Sequence, residues 1–159
     1  MSERVVWRKI DPDELLKPSS KSYQVAHVAA VRNIANELYY FPTPDYPHYR
    51  AFVNEPEVEQ KIFTNLGREL MPDIVVLEWP EKLPRIVAEV VTPDMLDDTN
   101  AENWAVLSRL AGVRFYLYAP AGHAADVKKL LKKHKIKGVG LRTWRHITGL
   151  KTIDVAKLN

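Results

Sequence analysis

Residues 72–94 read PDIVVLEWPEKLPRIVAEVVTPD. Two short runs within this stretch, Ile74 to Leu77 and Arg85 to Thr92, are rich in β-branched residues and are bounded by Pro72, Pro80, Pro84 and Pro93. Proline has no backbone N–H to give to a ladder, so these prolines mark where strands start and stop. The stretch predicts two neighbouring strands, joined by a turn around Glu81 and Lys82 and paired antiparallel.

Upstream, Val28, Val31, Ile34 and Leu38 recur at helical spacing with Val25 beside them, which predicts a helix over Tyr23 to Tyr40. Pro12, Pro18, Pro42, Pro44 and Pro47 punctuate the first third as turns or loops. Val58, Ile62, Phe63 and Leu66 suggest a second, short helix, with Pro56 in its first turn and Gly67 at its end.

Downstream, Thr99 and Glu102 have the spacing of a capping box that opens another helix, and Gly112 is placed to close it in a left-handed conformation. Phe115 to Ala119 reads as a buried strand. Ala124 to His134 carries Val127, Leu130 and Leu131 on one side and lysines on the other, a surface helix, and Val139 to Trp144 reads as a further strand. Helices interleaved with strands predict an α/β protein with a central mixed sheet flanked by helices.

A chain of 159 residues with 46% hydrophobic content can bury one sizeable core, so residues 1–159 are expected to form a single domain. No run approaches the roughly 20 apolar residues that span a bilayer, which argues against a membrane partner. The stretch MSERVVWRKIDPDELLKP also lacks the apolar run of a secretory signal. The absence of cysteine rules out disulfides, thiolate zinc sites and cysteine nucleophiles, and fits a reducing, cytoplasmic compartment. Any metal must therefore sit on oxygen or imidazole.

The net charge of +3 is too small to announce a nucleic-acid binder by itself. Its distribution is uneven, however. Lys128, Lys129, Lys132, Lys133, Lys135, Lys137, Arg142, Arg145, Lys151 and Lys157 face only Asp154 as acidic counterweight. The lysines of the Ala124 to His134 helix read first as a solvated face and second as a phosphate-contacting patch. His27, His48, His123, His134 and His146 show no pair at metal-ligand spacing on one helix, and Trp79, Trp104 and Trp144 read as core or interface aromatics.

The chemistry lies in the opening stretch. Asp73 stands at the mouth of the first strand and Glu89 past the middle of the second. Antiparallel pairing sets the start of one strand beside the end of the other, so the two carboxylates converge. Two like charges at short range demand a proton or a cation, and a hard divalent ion on oxygen ligands is the natural partner. Each carboxylate taken alone is an ordinary strand-end residue.

Pro72-Asp73-Ile74-Val75-Val76, Ala88-Glu89-Val90-Val91-Thr92-Pro93, Gly112-Val113 and Phe115 to Pro120 together resemble the PD-(D/E)xK restriction-endonuclease-like superfamily. Within it they are most similar to a large bacterial family of uncharacterised endonuclease-like proteins. The resemblance covers residues 72 to 120 and implies a restriction-endonuclease-like fold and a nuclease. It makes Asp73 and Glu89 the catalytic carboxylates, and Asp73, Glu89 and the Val90 carbonyl the ligands of Mg²⁺ or Mn²⁺.

The superfamily's lysine falls at Val91 here, and the alternative position on the following helix falls at Asn103 or Trp104; none of these is cationic. Lys61, Arg68 or Arg109 would have to substitute in space, and Glu37 is an optional further ligand by the same resemblance. The expected function is therefore a metal-dependent phosphodiesterase acting on nucleic acid. The alternative is a catalytically silent domain of the same fold that binds nucleic acid or a protein partner through its basic C-terminal third. The oligomeric state, a homodimer included, is left open.

Overall fold

The computed structural model describes residues 20–146 and 153–157. Pro12, Pro18 and Lys151 lie outside them. In chain order the elements are helix α1 (Ser20–Leu38), strands β1 (Tyr49–Val53), β2 (Ile62–Phe63), β3 (Glu69–Leu70), β4 (Ile74–Glu78) and β5 (Leu83–Val90), and a 3₁₀ turn (Pro93–Met95). Then follow α2 (Asp98–Ser108), β6 (Arg114–Pro120), α3 (Ala124–Lys133), β7 (Val139–His146) and β8 (Ile153–Lys157). The chain is a mixed α/β protein, and among the described residues no helix is long and apolar enough to cross a membrane.

Six strands form one mixed sheet in the order β1-β4-β5-β6-β7-β8. The expected hairpin is present: β4 and β5 pair antiparallel, with Ile74 opposite Ala88. β5, β6 and β7 run parallel, connected through α2 and α3. Such crossovers need a helix to carry the chain back, and here both helices cover one face of the sheet.

Side-chain alternation along the strands creates two cores. Val75, Leu77, Val87, Phe115 and Leu117 meet Trp104, Leu107 and Val127 on the face of α2 and α3. Ile74, Val76, Ala88, Val90 and Tyr118 meet Ala30, Val31, Ile34 and Ala35 of α1 on the other. Central strands enclosed on both sides read as unbroken apolar runs, as Ile74 to Leu77 does, each such side chain contributing about 1.5–3 kcal/mol when withdrawn from water. Trp104 and Trp144 are buried, as expected of core aromatics, and the lysines along α3 are exposed.

Two local expectations are corrected. Residues 58–66 form no helix: Ile62 and Phe63 pair with Leu70 and Glu69 in a separate two-stranded hairpin. Ile62 and Leu70 are buried while Phe63 and Leu66 are exposed, an alternation along a hairpin that mimics helical spacing over so few residues. The cap of α2 is Asp97, whose side chain accepts the Asn100 N–H at 2.8 Å; Thr99 already lies inside the helix, so Thr99 and Glu102 form no capping box. Gly112 adopts the expected left-handed conformation (φ 72°) in the turn before β6.

Candidate metal centre

Asp73 precedes β4 and Glu89 is the penultimate residue of β5, so the antiparallel hairpin brings them side by side. The main chain joins them: the Asp73 N–H donates to Glu89 Oε1 at 3.0 Å, and Asp73 Oδ2 accepts the Val90 N–H at 2.8 Å. The two residues are thus neighbours across the hairpin, joined through main-chain N–H groups, and Glu89 stands outside the group of side chains that could share an ion.

The neighbourhood contains two more groups. His27, on the buried stripe of α1 that continues through Ala30, Val31, Ile34 and Ala35, places Nε2 3.1 Å from Asp73 Oδ2. Its other nitrogen, Nδ1, lies 3.6 Å from Glu55 Oε1. His27, Glu55 and Asp73 each present one donor atom within 4.8 Å of the others, so this largely buried group can hold a metal ion. His27 is a buried, hydrogen-bonded histidine, as expected of a satisfied core histidine, but its place beside Asp73 and Glu55 was not legible: it comes from a helix remote in sequence from either carboxylate, and ligand spacing along one helix cannot disclose such a group. Glu37, the optional ligand on the same helix, is exposed and stands outside this trio.

Asn54 holds the loop that carries Glu55. Its Nδ2 donates to the carbonyls of Gln60 at 2.8 Å and Pro72 at 2.6 Å, and its Oδ1 accepts the N–H groups of Glu59 at 2.8 Å and Gln60 at 2.9 Å. The Asn54 N–H donates to the Asp73 carbonyl at 2.9 Å. One buried amide therefore ties Glu55 to Asp73 with all its side-chain valences used.

The electrostatics follow from crowding acidic groups away from water. Burial, then the charge of Asp73, raises the Glu89 pKa well above the usual carboxylate range, against the pull of the Asp73 N–H. Burial likewise raises Glu55, opposed by His27. For His27 burial works downward, but the hydrogen bond and charge of Asp73, the charge of Glu55 and the Val90 backbone outweigh it, and the pKa is raised. His27 thus lies between two acidic groups that both raise its affinity for a proton, so a proton and a metal ion compete for its ring nitrogens.

The cations considered as substitutes for the motif lysine lie elsewhere. Lys61 pairs with Glu69, and Arg68 and Arg109 line a groove beside Leu83 and Arg85, at the end of β5 opposite to Glu89. Val91 is buried in the core beneath α2 and α3. Arg32 of α1, which sequence reasoning did not single out, donates to the Glu55 carbonyl at 3.0 Å. No family model, curated protein or solved structure matches the chain.

Proposed function

We propose that the chain is a divalent-metal-dependent phosphodiesterase acting on nucleic acid, with His27, Glu55 and Asp73 holding the ion and Glu89 and the Val90 backbone beside it. The observation that carries this reading is the clustering of Asp73 with His27 and Glu55, whose donor atoms lie within 4.8 Å of one another, with Glu89 held beside them by the Asp73 N–H. The mixed α/β order of elements, with a central sheet flanked by helices, is compatible with the restriction-endonuclease-like fold that the resemblance implies.

The donor set fits a cation of intermediate hardness. Two carboxylates suit Mg²⁺ and Mn²⁺ alike, but the imidazole favours Mn²⁺ or a later transition metal. When bound, such an ion activates water and stabilises charge on a phosphoryl oxygen. The chain's own groups orient and compensate: the Val90 N–H fixes the Asp73 carboxylate, and the Asp73 N–H fixes the Glu89 carboxyl, whose pKa burial and Asp73 raise. Arg32 is the cation best placed to assist, through its contact with the Glu55 main chain.

The second reading, a silent binding domain, is favoured by one observation. Val91 fills the motif-lysine position and is buried, and among the described residues no lysine contacts His27, Glu55, Asp73 or Glu89. Calorimetric titration with Mn²⁺ and Mg²⁺, alongside cleavage of labelled DNA and RNA, separates the two. Saturable Mn²⁺ uptake with metal-dependent cleavage, both lost in Asp73→Asn, is expected. Uptake without cleavage supports the silent domain, and no uptake of either ion sinks the metal centre.

A further inference from the structure

The α1 face of the sheet carries a second constellation, built from residues that the metal centre does not use. Along that face β6 presents Arg114 and Tyr116, β7 presents Gly140 and Arg142, and β8 presents Lys157, with Tyr116 opposite Gly140 and Arg142 opposite Lys157. A Cβ on Gly140 would stand 2.5 Å from Cδ1 and 2.7 Å from Cε1 of Tyr116. The phenol ring therefore lies down over the β7 backbone, in space that only glycine leaves free. The Arg142 guanidinium sits 5.1 Å from the centre of that ring, and Arg114 reaches the Tyr116 hydroxyl at 3.5 Å.

Further rings border this surface. Tyr46 and Tyr49 are stacked with centroids 4.7 Å apart, Phe41 meets both edge-on, and the two phenols are close enough to act on the Arg114 charge. Among the described residues, no carboxylate pairs with Arg114, Arg142 or Lys157. Like charges directly opposite across two strands are destabilising, so the Arg142 and Lys157 pair is a local cost that an anion would relieve.

We infer that this face binds single-stranded nucleic acid, with bases stacking on Tyr116 and on the Tyr46 and Tyr49 pair, and phosphates on Arg114, Arg142 and Lys157. Flat rings give every base a π-face, and guanidinium groups give the backbone bidentate partners. A duplex keeps its bases stacked inside and offers such a surface nothing but phosphates. The inference stands apart from the metal-centre reading, since no residue is shared.

The test is fluorescence anisotropy of a labelled oligothymidylate of about ten nucleotides, within the range of a single small binding surface. It is run in EDTA on the unaltered chain, so that metal-dependent cleavage of the probe cannot pass for loss of binding. Saturable binding is expected, with a log–log salt slope of about −2 if three phosphates each release roughly 0.7 counter-ion. Tyr116→Ala should weaken it about tenfold, the lower part of the range for a lost stacked base. Tyr116→Phe should retain it. Arg142→Glu should weaken it more than Lys128→Glu on exposed α3, and Gly140→Val should act like Tyr116→Ala with the charge unchanged. Should Tyr116→Ala fail to fold by circular dichroism, Arg142→Gln carries the same expectation of weakened binding. Absence of saturable binding overturns the inference, as does equal loss in Arg142→Glu and Lys128→Glu. Equal affinity for a blunt duplex, or equal displacement by polyglutamate, overturns it too.

Discussion

His27 and Asp73 are joined at 3.1 Å in a buried contact between the first helix and the mouth of β4, elements otherwise held together by apolar packing. Removing either partner of a buried ionic contact leaves the other uncompensated, at about 3–5 kcal/mol. His27→Ala and Asp73→Ala should each destabilise the chain by about that amount in urea unfolding. The double variant should cost less than the two losses combined, by about 1–3 kcal/mol, as for residues in direct contact. Simple additivity would mean that the two side chains do not interact in solution.

Glu89 gives stability a defined pH dependence. Burial first, and Asp73 second, raise its pKa well above the ordinary 4.5, so between those two values the folded chain holds a proton that the unfolded chain has released. Stability from this group is therefore full below the unfolded value and declines as pH rises through the folded one. Glu89→Gln keeps an acceptor for the Asp73 N–H and removes the titration. Its melting temperature should match that of the parent chain near pH 4 and exceed it at pH 8. Added Mn²⁺ should narrow the gap at pH 8. Parallel melting curves across this range would contradict the assignment.

Asn54 is a positioning residue. Asn54→Ala deletes four hydrogen bonds and strands the buried Pro72 carbonyl, at about 1–3 kcal/mol, together with the part-buried Gln60 carbonyl and the Glu59 and Gln60 N–H groups, which water can partly satisfy. The expected outcome is faster proteolysis between residues 54 and 61 and weaker Mn²⁺ uptake, with Asp73 itself unaltered. Unchanged ion affinity would show that the loop does not set the Glu55 geometry.

Placing a lysine at position 91 should not raise activity. Val91 is 2% exposed and packs in the core under α2 and α3, so Val91→Lys forces an ammonium into apolar surroundings. A loss of several kcal/mol in stability is expected from burying an unpaired charge, with no gain in cleavage. A stable Val91→Lys chain with enhanced metal-dependent cleavage would instead place this position at the reacting centre.

Much of this architecture is legible in the sequence because its strongest signals are local. Proline-bounded β-branched runs gave β4 and β5, and the strands and helices from Phe115 to Trp144 have periods long enough to read. What stayed hidden is what depends on pairing across the chain. β1 is a mixed-polarity edge strand of Tyr49, Arg50, Ala51, Phe52 and Val53 that acquires meaning only beside β4. β2 and β3 are too short to have a period. In α1 the predicted stripe is only partly the buried one: Val31 and Ile34 are buried, Val25 and Leu38 are exposed, and the buried face also takes in His27, Ala30 and Ala35. A small or polar residue at a core position carries no hydrophobic signal, which is why Asp73 and Glu89 could be found from their strands and His27 and Glu55 could not.

The tip between β2 and β3 extends this reasoning to experiment. Leu66 is 98% exposed there, while Ile62 and Leu70 anchor the base of the same hairpin in the core. In a chain with no native thiol, Leu66→Cys creates a unique chemical handle. A fluorophore attached at that point would report on events along the Glu55 to Asp73 segment while leaving both carboxylates and the sheet face untouched.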